Sequence, residues 1–426
     1  MERQITRAEH GHVLTNINVW SPDGEWIVYD VRSTPDGGVF DGTRIERVRV
    51  ATGVTEVLYE SRFGATCGVA TVCPVSGRVA FILGPERPTA DYRYGPARRR
   101  GVIVDPARPG VARALDARDL TPPFTTGALR GGSHVHTFSP DGRMVAFTYD
   151  DDVLSGRLPA QRNVGVSLLD RPTTVPRTHP RNHDGHFSVL ISRTTASPRP
   201  GTDDIGRAFE DGWVGTNGYV RADGRRQKAI AFQGEVCRSD GTRAFEVFLA
   251  DLPDDLTRPG VGPLEGSDAE YPSPPAGVIQ RRLTVSPGLS GPRHWLRSSP
   301  DGERIAFIMR DSRGLDQLWS VSPRGGPPAL MSSFDQPVTS CFSWSPCGQF
   351  IACGVGRQVM VQDVETNTSH AVTSGQYAPR PEACVFSPTG DRIAFASEVG
   401  GWNQVFVVDV PVRLRERPRE RRQTRP

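Results

Sequence analysis

Along most of this chain apolar residues alternate with polar ones in short runs, the period expected of half-buried strands. Glu25-Trp-Ile-Val-Tyr, Arg78-Val-Ala-Phe-Ile, Arg143-Met-Val-Ala-Phe, Glu303-Arg-Ile-Ala-Phe, Gln349-Phe-Ile-Ala and Asp391-Arg-Ile-Ala-Phe all have this form. Each run follows a copy of one phrase: Trp20-Ser-Pro-Asp-Gly, Cys73-Pro-Val-Ser-Gly, Phe138-Ser-Pro-Asp-Gly, Ser299-Pro-Asp-Gly, Trp344-Ser-Pro-Cys-Gly and Phe386-Ser-Pro-Thr-Gly. A phrase repeated at this scale marks one supersecondary unit copied around an array. In Pro-Asp-Gly the proline presets φ at one corner and the glycine takes positive φ, which makes a tight turn between two strands.

The pattern predicts four strands per unit. Unit one takes residues 14–21, 25–31, 44–50 and 55–59; unit two 68–73, 78–83, 101–104 and 112–116; unit three 133–138, 143–149, 164–169 and 174–178. Unit five takes 293–298, 303–309, 317–321 and 329–333; unit six 341–344, 349–354, 358–363 and 369–373. Unit seven supplies only 383–386, 391–396 and 404–410. Its fourth strand is expected at residues 3–7, where Gln-Ile-Thr-Arg resembles Gln280-Arg-Arg-Leu-Thr; donating it removes two exposed sheet edges.

Unit four is irregular. Its strands are expected at 187–193, 228–234, 245–251 and 278–283, interrupted by an insert over 195–227 and a Pro-rich insert over 258–276. Within the first insert, Ile205, Ala208, Phe209 and Trp213 fall near helical spacing, which predicts a short helix over 203–213. The reading is all-β: a single seven-bladed β-propeller over 1–411, its ring closed by the N-terminal strand, followed by a disordered basic tail over 412–426. Eight units remain the alternative if the insert hides another sheet.

Composition narrows the function classes. The 45 Gly and 37 Pro match many tight turns, and 37% hydrophobic content can fill a core. No apolar run is long enough for a membrane span, and the first residues lack a secretory h-region, so a monomer in the cytoplasm is expected. The 7 cysteines form no CxxC pair and read as small buried hydrophobes. A net charge of +3 argues against a specific nucleic-acid partner; Lys228 is the only lysine, a bias that lowers the weight of any Arg cluster.

Ser-Pro-Asp-Gly followed by an Ile-Ala-Phe strand and then by Gln317-Leu-Trp-Ser-Val or Gln404-Val-Phe-Val-Val resembles the TolB β-propeller repeat. Thr43-Arg-Ile-Glu-Arg-Val, Arg99-Arg-Gly-Val-Ile-Val, Gly127-Ala-Leu-Arg-Gly-Gly-Ser-His-Val-His, Glu210-Asp-Gly-Trp-Val-Gly, Gly277-Val-Ile-Gln-Arg-Arg-Leu-Thr and Pro292-Arg-His-Trp are similar to the YidR-like propeller family, which carries no assigned reaction. His134-x-His136 gives a looser resemblance to oligogalacturonate lyases, which implies a manganese site on inner strands.

The repeated phrase also serves as a ruler. Six residues before its Pro stand Asn16, Gly68, His134, His294, Ser340 and Glu382; four before stand Asn18, Ala70, His136, Leu296, Phe342 and Cys384. Residues two apart on a strand share a face, so His134 and His136 are expected to point together. His183 and His186 fall at the start of the expected inner strand of unit four. Neutral imidazoles at one level suggest a divalent metal (Mn, Zn or Ni) on His134, His136, His186 and His294, with His183 or Glu382 in reserve. Arg130, Arg293 and Arg297 flank that region and offer planar forks for carboxylate, so a small anionic or oligosaccharide ligand is expected, with His183 and the arginines as catalytic candidates in a lyase. The competing expectation is a TolB-like scaffold for protein partners.

Overall fold

The structure, a computed structural model, describes residues 2–291 and 295–415. Its regular elements are strands, apart from a 3-10 turn at Val412–Leu414. Among the described residues the strands form five four-stranded sheets, one eight-stranded sheet and one two-stranded hairpin. No helix among them is long and apolar enough to cross a membrane.

The first sheet holds Gly11–Val13, Trp26–Arg32, Arg44–Arg49 and Thr55–Glu60; the second holds Cys67–Val72, Val79–Leu83, Arg100–Val104 and Ala112–Ala114. The eight-stranded sheet has two four-stranded halves joined by the single parallel pair Arg162↔Arg207. Its first half is Gly131–Phe138, Met144–Asp151, Arg162–Thr173 and Gly185–Leu190; its second is Ile205–Trp213, Ala229–Cys237, Arg243–Asp251 and Ile279–Arg282. The next two sheets begin at Arg297–Ser298 and Ser343–Trp344. The last comprises Cys384–Phe386, Arg392–Val399 and Trp402–Asp409, with Arg3–Gln4 as its fourth strand, Arg3 opposite Val407.

The repeated phrase makes the first turn of its sheet. Gly24, Gly77, Gly142, Gly302, Gly348 and Gly390 all take φ of 69–76°, the left-handed conformation the turn demands. In five copies the serine hydroxyl accepts an N–H from the residue at or just before the start of the next strand, at 2.9–3.1 Å. Buried side chains then pack in layers between consecutive sheets, because each strand carries apolar residues on both faces. A further layer lies between the first and last sheets, where Ile5, Trp20 and Tyr29 meet Val385 and Val405.

Unit four departs from the sequence expectation. The predicted helix over 203–213 is the strand Ile205–Trp213, paired with Ala229–Cys237. Register shifts between Ile205 and Ala208 and between Phe209 and Gly212 stretch the apolar spacing, so a period of two imitates a helix. The fourth strand of unit three is Gly185–Leu190, not 174–178, and the segment expected as unit four's inner strand therefore belongs to unit three. Unit one's first strand stops at Val13 and resumes only as the isolated pair Trp20↔Ile27. In the segment expected as a tail, Leu414 packs into the layer of the last two sheets; residues 416–426 lie outside the described residues.

Candidate functional site

The first strands of the sheets surround one cavity of about 390 Å³. Its wall includes the prolines of all six phrase copies, Pro22, Pro74, Pro140, Pro300, Pro346 and Pro388, so the residue that builds the turn also shapes the rim. Trp20, Phe138, Trp213, Trp344 and Phe386 make the wall aromatic. The indole N–H of Trp20 donates to Val385 O at 3.0 Å, that of Trp213 to Thr137 O at 2.9 Å and that of Trp344 to Arg297 O at 3.0 Å. With their polar edges committed to the preceding strand, these rings offer apolar surface.

Similar bonds join the other neighbouring first strands: Val72 N to Asn18 O (2.7 Å), Thr71 Oγ1 to His136 O (2.5 Å), Leu296 N to Glu210 O (3.4 Å) and Phe386 N to Ser343 Oγ (3.0 Å). Gly212 is needed for one approach, since a Cβ there would lie 2.3 Å from Leu296 O.

Arg297 lines this cavity yet is only 4% exposed. Its Nη1 donates to Leu296 O at 2.8 Å and, more weakly, to Asp211 O at 3.5 Å, while Nη2 donates to the Asn16 side-chain oxygen. Its Nε has no partner. Asn16 lines a second cavity of about 240 Å³ together with Asp30, Arg32, His134, Trp295 and Glu382. The Arg297–Asn16 contact therefore lies where the two cavities meet. Arg32 is not free there, because its Nε donates to Asp30 at 2.7 Å.

Beside Arg297 stand two carboxylates on one bulge. Glu210 has φ 54°, which lets it and Asp211 together occupy the extra residue of the register shift between Phe209 and Gly212. Glu210 accepts the Gln233 amide at 2.5 Å. Asp211 is 1% exposed, and neither of its oxygens has a well-formed hydrogen bond. Burial pushes the Glu210 carboxyl up to about 7 against the pull of Arg297 and Arg162. Burial lifts Asp211 to about 7 as well, outweighing Arg297 and Thr148, and it lowers the Arg297 guanidinium to about 10.

The same bulge recurs at Val69 (φ 59°) and Val135 (φ 54°), each at a register shift in its first strand. Left-handed φ is strained for a β-branched residue. At Val135 the bulge breaks the alternation that would make His134 and His136 point together. His134 lines the second cavity, whereas His136 is fully buried with Nε2 on Ser133 Oγ at 2.9 Å; that hydroxyl donates to Asp116 at 2.8 Å. Burial, helped by Arg99, depresses His136 to about 3 and also holds His134 well below the usual imidazole range.

His186 is the second residue of the fourth strand of unit three, not on a first strand, and its Nδ1 donates to Leu115 O at 2.8 Å. His183 pairs through its backbone with Arg118, and burial lowers its pKa well below the ordinary value. His294 and Arg293 lie outside the described residues. Arg130 is fully buried, ion-paired to Asp151 at 2.9 Å and bonded to the carbonyls of Ser267 and Glu270, which pins the Pro-rich insert. Of the sequence-derived candidates, Arg297, His134 and Glu382 reach the two cavities. Among the described residues no three His, Cys, Asp or Glu side chains form a metal-holding group; His294, one of the four expected ligands, lies outside them. Glu210 and Asp211 escaped the sequence reading, although Glu210-Asp-Gly-Trp-Val-Gly signals a first strand ending in Trp and a glycine turn.

Comparison with known proteins places the chain. The family described as a protein of unknown function (DUF3748) matches residues 66–183. A manganese complex of oligogalacturonate lyase superposes with TM-score 0.59 at 12% identity, covering 97% of this chain and 94% of that one. A puromycin hydrolase superposes with TM-score 0.55 at 13% identity, covering 92% of this chain and 50% of that one. These are likenesses of an all-β, propeller-like fold. The uncharacterized protein YidR of Escherichia coli (strain K12) is 43% identical over 410 residues, covering 92% of this chain and 94% of that protein. At that identity over most of both chains, the chain belongs to the YidR family.

Proposed function

We propose that the chain is a seven-bladed propeller closed by its N-terminal strand, and that its central channel binds a small anionic ligand of oligosaccharide type with Arg297 as anchor. Closure is supported by the apolar layer shared by the first and last sheets and by the bond from Trp20 to Val385. The ligand reading is carried by Arg297, a buried guanidinium at an aromatic-walled cavity whose hydrogen-bond partners are all neutral oxygens. A buried charge without a hydrogen-bonded counter-ion is costly. A ligand carboxylate would meet the fork in place of Asn16, while the tryptophan faces take the apolar face of a sugar ring.

A lyase has this fold and is named for oligogalacturonate, which supplies the probe. Titration calorimetry of the protein with digalacturonate is expected to show binding that Arg297→Met weakens by about thirtyfold or more, the size of a truncated buried charge contact. Equal affinity in both proteins would remove Arg297 from the site, and no binding would favour the protein-scaffold alternative. Lyase activity is the enzymatic form of the reading, and ultraviolet absorbance of unsaturated product detects it.

A further inference from the structure

We propose that the channel takes up its carboxylate ligand together with one proton, which lodges on the Glu210–Asp211 pair beside Arg297. The inference rests on the ligand reading above and adds to it a coupling that a plain arginine site would lack.

The geometry begins with the bulge. Ordinary strand alternation sends consecutive side chains to opposite faces. The left-handed Glu210 and the register shift suspend that rule, so two adjacent carboxylates can serve one region. Arg297 acts on both carboxylates, and its Nη1 touches the Asp211 carbonyl. Asp211 is almost fully buried with no well-formed bond to either oxygen, and Arg297 Nε is likewise unpartnered. Polar atoms left this way inside a fold call for a further partner.

Among the described residues the charged surroundings are few. Arg297 comes from the first strand of unit five and Arg162 from the third strand of unit three. Arg162 is itself paired with Asp150 at 3.2 Å, so it adds little positive charge. Cys341 is the other titratable group acting on Arg297; Gln233 and Thr148 contribute neutral dipoles. With both acids ionised, the cluster of two carboxylates and one guanidinium is net negative and repels an anion. One proton makes it neutral, and a second makes it positive. Because the two acids sit side by side in a buried site, their protons are shared and titrate as a pair near neutrality. An anion arriving on Arg297 draws the field away from the acids, raises their proton affinity and takes up a proton from solvent.

The test is calorimetric titration with digalacturonate from pH 5.5 to 8.5, a range over which the sugar carboxylates stay ionised. For the wild-type protein the Kd is expected to rise about tenfold per pH unit above pH 7 and to flatten below pH 6, as one-proton linkage requires. The Glu210→Gln/Asp211→Asn double variant is expected to bind with a Kd independent of pH and to bind more tightly than wild type at pH 8. If that variant does not fold, heats measured with wild-type protein at pH 7.5 in two buffers of different ionisation enthalpy give the same information: about one proton taken up per ligand supports the coupling, and none overturns it. Binding that depends on Arg297 but not on pH overturns the proton coupling alone. Absence of binding at every pH overturns the ligand reading and the coupling with it.

Discussion

Replacing Ile5 by Ala tests whether the N-terminal strand holds the first and last sheets together. Ile5 is 2% exposed and packs in one layer with Val48, Val50, Val405 and Val407, so it touches side chains from both sheets. Its backbone N–H donates to Val405 O at 2.8 Å, and Thr6 beside it accepts the Val405 N–H at 2.8 Å while donating to Gln404 at 2.8 Å. Truncating a buried Ile to Ala costs about 2–5 kcal/mol. An unfolding entropy near 2.1 cal/mol/K per residue over 426 residues amounts to about 0.9 kcal/mol/K, so the midpoint should fall by about 2–5 °C. Scanning calorimetry reads this directly. Thr6→Val should add a loss of similar sign, because it leaves a buried amide N–H and the Gln404 oxygen without their hydroxyl. A midpoint for Ile5→Ala within about half a degree of wild type would refute the reasoning, since a strand that closes nothing can lose its buried side chain without consequence.

Three further outcomes follow from the buried charges. Asp211→Asn should stabilise the protein increasingly as pH rises from about 4 to about 7 and by a constant amount above that, because a carboxyl whose folded pKa is raised loses stability over that window; a pH-independent difference in unfolding midpoint would contradict the assignment. His136 has the opposite sign: its folded pKa of about 3 lies below the unfolded value of 6.5, so stability present above pH 6.5 is lost as pH falls toward 3. His136→Asn should flatten that acid limb in denaturant titrations, and an unchanged limb would exclude His136 as its source. Treatment with a chelator should leave digalacturonate affinity within about twofold, whereas a loss above about tenfold (1.4 kcal/mol) would put a metal in the site.

The repeat made most of the strands legible, because each phrase fixes a turn and each alternating run a strand. Counting back from the proline sets Asn16, His134 and Glu382 in one register, and all three line one cavity. The count failed for His136 because the bulge at Val135 inserts a residue that no alternation pattern reveals. Unit four departs from expectation on two counts: two bulges give Ile205, Ala208, Phe209 and Trp213 helical spacing, and the turn after Trp213 reads Val-Gly-Thr-Asn-Gly instead of Ser-Pro-Asp-Gly. His186 stands on unit three because the segment expected as unit four's first strand completes unit three. Arg130 looked available only because its partners, Asp151 and the carbonyls of Ser267 and Glu270, come from a neighbouring strand and a distant insert. Trp20, Phe138, Trp344 and Phe386 stand directly ahead of their phrases in the sequence, but their convergence on one cavity depends on how the sheets are arranged.

The central claim is that Arg297 anchors an anionic ligand inside the aromatic cavity. A crystal structure of the protein with digalacturonate at pH 5.5 tests it most directly. The account predicts a sugar carboxylate on the Arg297 guanidinium, the Asn16 side chain displaced from it, and a ring against one of Trp20, Trp213 or Trp344. Ligand bound elsewhere, with the Arg297–Asn16 contact intact, would contradict it.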